Sequence, residues 1–265
     1  MLSELVLNRI LSPQLILSSG AMRSEILKDT TPVPIFGNYQ DSEIVTVGIN
    51  PSSNEFPSKL DRKLVHLSDL QLPIDYYQLG LTSMKPEQAH KIDSGLNHYF
   101  EKDSANWEWF GHSEKSLNIG FGATYKFNNL NKIACHLDIF PWATKAFSRL
   151  SSSLQREFIA ENSNFVEKFL SQKEITEVVI LGNQALDLLK KQIHISTTRV
   201  ENGTGPFETK FEFGTFSLGN KSLRYFFTSK GPSARFDNKL GKSFNFDDKN
   251  AIHIAFGEFI RKSIN

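Results

Sequence analysis

Four short apolar runs punctuate the chain at residues 44–47, 133–137, 178–181 and 225–228. Each has the length and the β-branched or aromatic content of a strand buried on both faces, and turn residues bound each one. Two of them run into glycine, at Gly48 and Gly182, as strands do before a tight turn. Helical periods fill the intervals. Leu154, Phe158, Phe165, Phe169 and Leu170 recur at near-helical spacing over residues 152–171, and Asn183 reads as the N-cap of a helix over 184–192. A further helix over 247–264 starts with Asp247 and Asp248 and ends with Arg261 and Lys262, as the helix dipole favours. Near the N-terminus, Leu2, Leu5, Leu7 and Ile10 form one side of a short amphipathic helix ending near Pro13. Strand–helix alternation of this kind predicts an α/β protein: three layers, α/β/α, around a central four-stranded, mainly parallel sheet, in one domain over residues 1–265.

Two segments exceed that minimal plan. Residues 57–115 separate the first two strands and carry Tyr76-Tyr77, Tyr99-Phe100 and Trp107-Glu108-Trp109-Phe110, which predicts an aromatic-rich insertion. Residues 207–218 alternate aromatic and polar through Phe207, Phe211, Phe213 and Phe216, which predicts a small antiparallel hairpin. Most of the 22 phenylalanines belong to core packing.

Composition narrows the chemistry. With 30 Lys+Arg against 29 Asp+Glu, the 265-residue chain announces no partner through its overall charge. Its one cysteine, Cys135, cannot build an internal disulfide, a four-cysteine zinc site or a cysteine-ligated iron–sulfur cluster, and suits a reducing compartment. The N-terminal segment lacks a basic start, is interrupted by Glu4 and Arg9, and does not read as a signal peptide. No run approaches the roughly 18 apolar residues of a membrane span. A cytoplasmic monomer with no cofactor, no metal and no membrane partner is expected. The seven histidines form no His-x-x-x-His pair, and Cys135 and His136, adjacent on a strand, point to opposite faces.

Three local motifs could carry chemistry. Val47-Gly48-Ile49-Asn50-Pro51-Ser52-Ser53 follows the first strand; by itself, Asn-Pro also simply starts a turn. Leu137-Asp138-Ile139-Phe140-Pro141-Trp142 ends the second strand with a carboxylate that alone could be a strand terminator. Thr228-Ser229-Lys230-Gly231-Pro232-Ser233-Ala234-Arg235 ends the fourth, within residues 219–246, where six basic residues oppose Asp237 alone for a net of +5. Such a segment is either a solvated basic loop or a place to hold a polyanion. All three fall at the carboxyl ends of predicted parallel strands, hence on one rim of the sheet, where open α/β sheets bind ligands.

In this order and placement the motifs resemble the uracil-DNA glycosylase superfamily. Gly48-Ile49-Asn50-Pro51-Ser52 is similar to its first motif in the Gly-x-Asn-Pro form of the mismatch-specific and single-strand-selective branches. Asp138-Ile139-Phe140-Pro141 is similar to the central strand motif, whose leading residue is usually an Asn that reads the pyrimidine. Leu181-Gly182-Asn183-Gln184-Ala185 looks like the third strand and helix start, and Gly231-Pro232-Ser233-Ala234-Arg235 like the second signature, commonly His-Pro-Ser. The likeness spans about residues 43–240, without 57–115. Gly231 stands where a histidine is common, and the absent cysteine set excludes the iron–sulfur branches.

The resemblance implies base flipping and hydrolysis of an N-glycosidic bond in DNA. Asn50 would orient the attacking water. Ser52, Ser233 and Lys230 would hold phosphates, and Arg235 would fill the gap left by the flipped nucleotide. Phe56, Tyr76 or Tyr77 would stack on the base. Asp138 in place of Asn removes the donor for uracil O4 and suits the amino group of cytosine. Cytosine N3 then requires a shared proton, which a buried Asp with a raised pKa can supply. These implications point to a modified cytosine, hydroxymethylated or glucosylated, since unmodified cytosine must be spared. Phage DNA carries such bases, and the superfamily includes an anti-phage glycosylase for them. The alternatives are an ordinary uracil or mismatch glycosylase of base-excision repair, a non-catalytic nucleic-acid-binding module, and an unrelated α/β enzyme for a phosphorylated small molecule.

Overall fold

A computed structural model describes residues 2–11, 20–26, 32–51, 85–101, 105–127, 132–144, 147, 150–172, 174–193, 196–232 and 245–265. All four apolar runs are strands: β2 (Ile44–Gly48), β4 (Lys132–Asp138), β5 (Glu177–Leu181) and β8 (Lys221–Thr228). They lie side by side, all parallel, in the order β4-β2-β5-β8. Every residue of β2 and β5 is buried, which is why these strands read as continuous apolar runs and not as alternating ones.

The sheet does not stop at four strands. The two-residue strands β1 (Ile35–Phe36) and β3 (Ala123–Thr124) pair with β4, antiparallel and parallel respectively. At the other end β7 (Thr209–Leu218) pairs antiparallel with β8, and β6 (Ser196–Gly205) with β7. The expected four-stranded sheet with a separate hairpin is therefore, among the described residues, one mixed sheet of eight strands, partly antiparallel. The expected hairpin over 207–218 is also displaced. That segment is essentially one arm, β7, and the turn is Pro206–Glu208, where Phe207 and Glu208 both take φ of 56°. Phe213 stacks on Phe226 of β8 at 4.9 Å and Phe211 meets Phe256 at 5.2 Å, so β7 extends the core and closes the open edge of β8.

Helices lie on both faces. On one side α4 (Trp107–Phe121) and α7 (Phe246–Ile264) pack as a pair, with Phe121 against Phe226 at 5.2 Å. On the other, Lys221 Nζ donates to Leu170 O (3.2 Å) and Gln172 O at the end of α5 (Ser152–Leu170). Lys221 and Phe226 are an odd number of residues apart on one regular strand and so face opposite ways. Helix α6 (Asn183–Gln192) follows β5; α1 (Leu2–Leu11) packs on α3 (Pro86–Asn97) and α5; the short α2 (Gly20–Glu25) touches α5.

The predicted helix ends hold with one shift. Ser151 caps α5 by accepting from Leu154 N, and Asn245 and Asp248 form a capping box at α7. At α6 the cap is Gly182 and Asn183 is the first helical residue; Gly182 takes φ of 105°, the bend that turns β5 into the helix. From residue 85 onward, the predicted aromatic insertion consists of α3, a 3₁₀ turn at Tyr99–Glu101 and α4, and Tyr99, Phe100 and Phe110 are buried. Among the described residues no helix is long and apolar enough to cross a membrane.

Two glycines allow α4 and α7 their close approach. A Cβ on Gly257 would stand 2.8 Å from Ile119 Cβ and 3.0 Å from Ser116 O, and one on Gly120 would meet Ile260 at 2.7 Å. Overpacking of this kind costs about 1–3 kcal/mol, more than the few tenths by which valine exceeds glycine in helix propensity. Gly257→Val should lower the thermal midpoint by several degrees; an unchanged melting curve would mean that the helices are not so closely packed.

Candidate functional site

The path of the chain singles out one end of the sheet. From β2 it crosses to β4 on one side, then returns past β2 to β5 on the other, so the strand order reverses at β2. Doubly wound sheets open a crevice at the carboxyl ends of strands where this reversal occurs. Gly48, Asp138, Leu181 and Thr228 end the four parallel strands, so the Asn50, Asp138 and Lys230 motifs share that rim, as expected.

The β2–β4 register then decides which side chains meet. Thr46 pairs with His136 and Gly48 with Asp138, and alternation puts all four on the face covered by α4. His136 Nε2 lies 3.3 Å from Asp138 Oδ1, with both side chains 3% exposed. A Cβ on Gly48 would fall 2.8 Å from that nitrogen and 2.9 Å from that oxygen, so glycine at this position is what admits the pair. Two hydrogen bonds tie the strand ends together, from Ile139 N to Gly48 O (3.3 Å) and from Phe140 N to Ile49 O (2.8 Å).

Behind Asp138 the polar groups continue inward. His136 Nδ1 is 2.8 Å from Thr46 Oγ1, which is 2.8 Å from the Tyr125 hydroxyl, which is 3.0 Å from Ser113 Oγ; Ser113 donates to Phe110 O at 2.9 Å. All of these side chains are buried. Aromatic rings wall the imidazole, with Trp109 at 5.0 Å, Phe110 at 5.1 Å and Phe36 at 6.0 Å. Burial raises the Asp138 carboxyl above the usual carboxylate range, opposed in part by His136.

Asn50 sits two residues past Gly48, half-buried, its Nδ2 donating to Pro51 O at 3.0 Å. Lys230 N donates to Thr228 Oγ1 at 3.4 Å, and Gly182 N to Thr228 O at 2.8 Å, which joins the loops after β5 and β8. Gly231 packs on the β5 backbone: a Cβ there would lie 2.9 Å from Leu181 O. A histidine at that position could enter only if backbone moved. Ser52, Phe56, Tyr76, Tyr77, Ser233 and Arg235 lie outside the described residues.

The basic segment is less concentrated at the rim than its net charge implies. Lys221 and Arg224 stand toward the amino end of β8, Lys221 on the end of α5 and Arg224 paired with Glu177 at the start of β5. Lys230 is the described cation of that segment at the carboxyl rim. Four participants belong to no motif of the sequence: His136, Thr46, Tyr125 and Ser113. The signal for His136 is His136-Leu137-Asp138, whose i, i+2 spacing places His and Asp on one face of a strand, whereas adjacent Cys135 and His136 face opposite ways. Cys135 indeed points away, its Sγ 3.9 Å from Ile44 O. Among the described residues no three His, Cys, Asp or Glu side chains converge as a metal site. No protein-family model matches the chain, and no curated protein matches it.

A raised acid has a definite effect on stability. The folded chain keeps the Asp138 proton where the unfolded chain, with a carboxyl near pKa 3.9, has released it, so the contribution of this group to folding weakens as pH rises above roughly 4. Asp138→Asn removes this cost while retaining the shape. Thermal unfolding from pH 4 to 8 should show the variant gaining stability over the parent as pH increases; a gain that shrinks with pH would contradict the raised carboxyl.

Proposed function

We propose that the protein is a DNA glycosylase that extrudes a cytosine-type base and hydrolyses its N-glycosidic bond, leaving an abasic site. The observation that carries this is the buried Asp138, with its raised carboxyl, beside the Gly48–Asn50 turn at the strand reversal. A protonated carboxyl offers one donor and one acceptor, which match cytosine N3 and its exocyclic amino group. The same acid can help the base depart. As the C1′–N1 bond breaks, its electron pair enters the ring, and a proton placed on N3 leaves the base neutral.

The sugar then develops oxocarbenium character, and the water that adds to C1′ releases its proton to solvent. Such a water needs positioning more than deprotonation. The bond from Asn50 Nδ2 to Pro51 O fixes the orientation of the amide, whose oxygen can accept from that water. Lys230 would contribute charge for backbone phosphate, with Ser52, Ser233 and Arg235 in the roles that the family resemblance suggests. Because unmodified cytosine must be spared, the target is a modified cytosine such as hydroxymethyl- or glucosylated hydroxymethylcytosine, in defence against phage DNA.

Incubation with DNAs that each carry one defined base, followed by alkaline cleavage of abasic sites, tests this. Release of a modified cytosine is expected. Asn50→Ala should lower release by about 10²-fold or more with DNA affinity nearly unchanged. Ready release of uracil with no release of any modified cytosine would identify a repair-type uracil glycosylase instead. DNA binding without release of any base would identify a binding module.

A further inference from the structure

The hydrogen-bond chain behind Asp138 has a direction. Ser113 has one hydroxyl hydrogen and gives it to the Phe110 carbonyl, so Ser113 accepts from Tyr125. Tyr125 thereby spends its own hydrogen and accepts from Thr46. Thr46 also lies 3.3 Å from Cys135 O; whichever oxygen takes its hydrogen, Thr46 has none left for the imidazole. His136 Nδ1 must therefore carry hydrogen and donate it at 2.8 Å. In neutral histidine this leaves Nε2 as a bare acceptor, aimed at Asp138 Oδ1 from 3.3 Å. A carboxylate there would set lone pair against lone pair inside an aromatic box. One proton between the two atoms removes the conflict, whether it resides on oxygen or on nitrogen.

From this we infer that His136 and Asp138 form a one-proton pair, locked by the Thr46–Tyr125–Ser113 chain, and that His136 is the positioning residue that keeps a proton at Asp138 for the leaving base. The role assigned to that proton rests on the glycosylase proposal; the pair itself does not. In the reaction the proton passes to cytosine N3 as the C1′–N1 electron pair moves into the ring. This leaves a carboxylate that accepts from N3–H and from the exocyclic amino group, facing a neutral imidazole. Once the base departs, solvent returns one proton to the pair, balancing the one released by the attacking water. Uracil already carries hydrogen on N3, so a proton held at that position finds no acceptor on the ring nitrogen.

Among the described residues, no other charged group faces the pair. Thr46 and Gly48 face it from β2, Phe36 from β1, and Trp109 and Phe110 from α4. Tyr125, reached through Thr46, is the titratable member of the chain; burial, with a contribution from Glu114, pushes its phenol upward, so it stays protonated. Among the described residues, His136 is the one electrostatic partner of Asp138. The pair accordingly loses its proton as a unit.

Nitrogen-15 spectroscopy of the histidine-labelled protein, free of DNA, reads the pair directly. The expected spectrum has His136 protonated at Nδ1, with the shared proton of the pair lost in a single step as pH rises. Base release should fall along that same limb. Thr46→Val should move the limb to lower pH and reduce kcat about 10-fold or more with little change in KM, and Thr46→Ser should restore both. His136→Gln should remove the limb. A neutral imidazole protonated at Nε2, donating to an ionised Asp138, would overturn the pair even if a base is released. Conversely, if no DNA base is released while the Nδ1–H form is observed, the glycosylase proposal fails and the pair stands.

Discussion

The rim depends on the register between β2 and β4. Because Thr46 lies opposite His136 and Gly48 opposite Asp138, two short polar or absent side chains on one strand make room for two ionisable ones on its neighbour. A slip of one residue would turn Thr46 and Gly48 to the other face and bring Val45 and Val47 against the imidazole and carboxyl. The register is held by the burial of every β2 side chain and by the backbone bonds from Ile139 and Phe140 to Gly48 and Ile49. Glycine at 48 is thus a steric requirement of the pair as well as a turn residue.

Burying a carboxyl and an imidazole is costly unless their polar atoms find partners. The structure meets this with a chain of single-hydrogen donors that ends on the Phe110 carbonyl, one turn into α4. The helix that supplies the terminal acceptor also supplies the aromatic walls, Trp109 and Phe110. The aromatic segment ahead of β4 therefore serves the site from beneath: its described part lines the floor and holds the polar chain in place. The α4–α7 seam, with Gly120 and Gly257, fixes where that floor sits.

Much of the scaffold was legible. Buried parallel strands need unbroken apolar runs and capped amphipathic helices need periodic ones, and both are local signals. So the four core strands, helices α1, α5 and α7, and the shared rim of the Asn50, Asp138 and Lys230 motifs could be placed from sequence. The edge strands could not. β1 and β3 are two residues each, too short for any periodicity, and β6, with Ser196, Thr197, Glu201, Asn202 and Gly203, has little apolar content. It is a strand because β7 offers it hydrogen bonds, which is a property of the neighbour.

The amino-acid sequence alone determined the order of strands and helices, the residues at the strand ends, and the carboxylate of Asp138 among them. Those follow from covalent order and local pattern. Only the tertiary structure decided that His136 faces Asp138, that Thr46, Tyr125 and Ser113 orient it, and that Lys221 and Arg224 stand away from the rim. The i, i+2 spacing puts His136 and Asp138 on one face, but what orients them and what occupies Lys221 and Arg224 depends on contacts between residues about 12 to 90 positions apart. A hydrogen-bond direction, and with it the position of a proton, exists only when the whole chain of donors and acceptors is assembled.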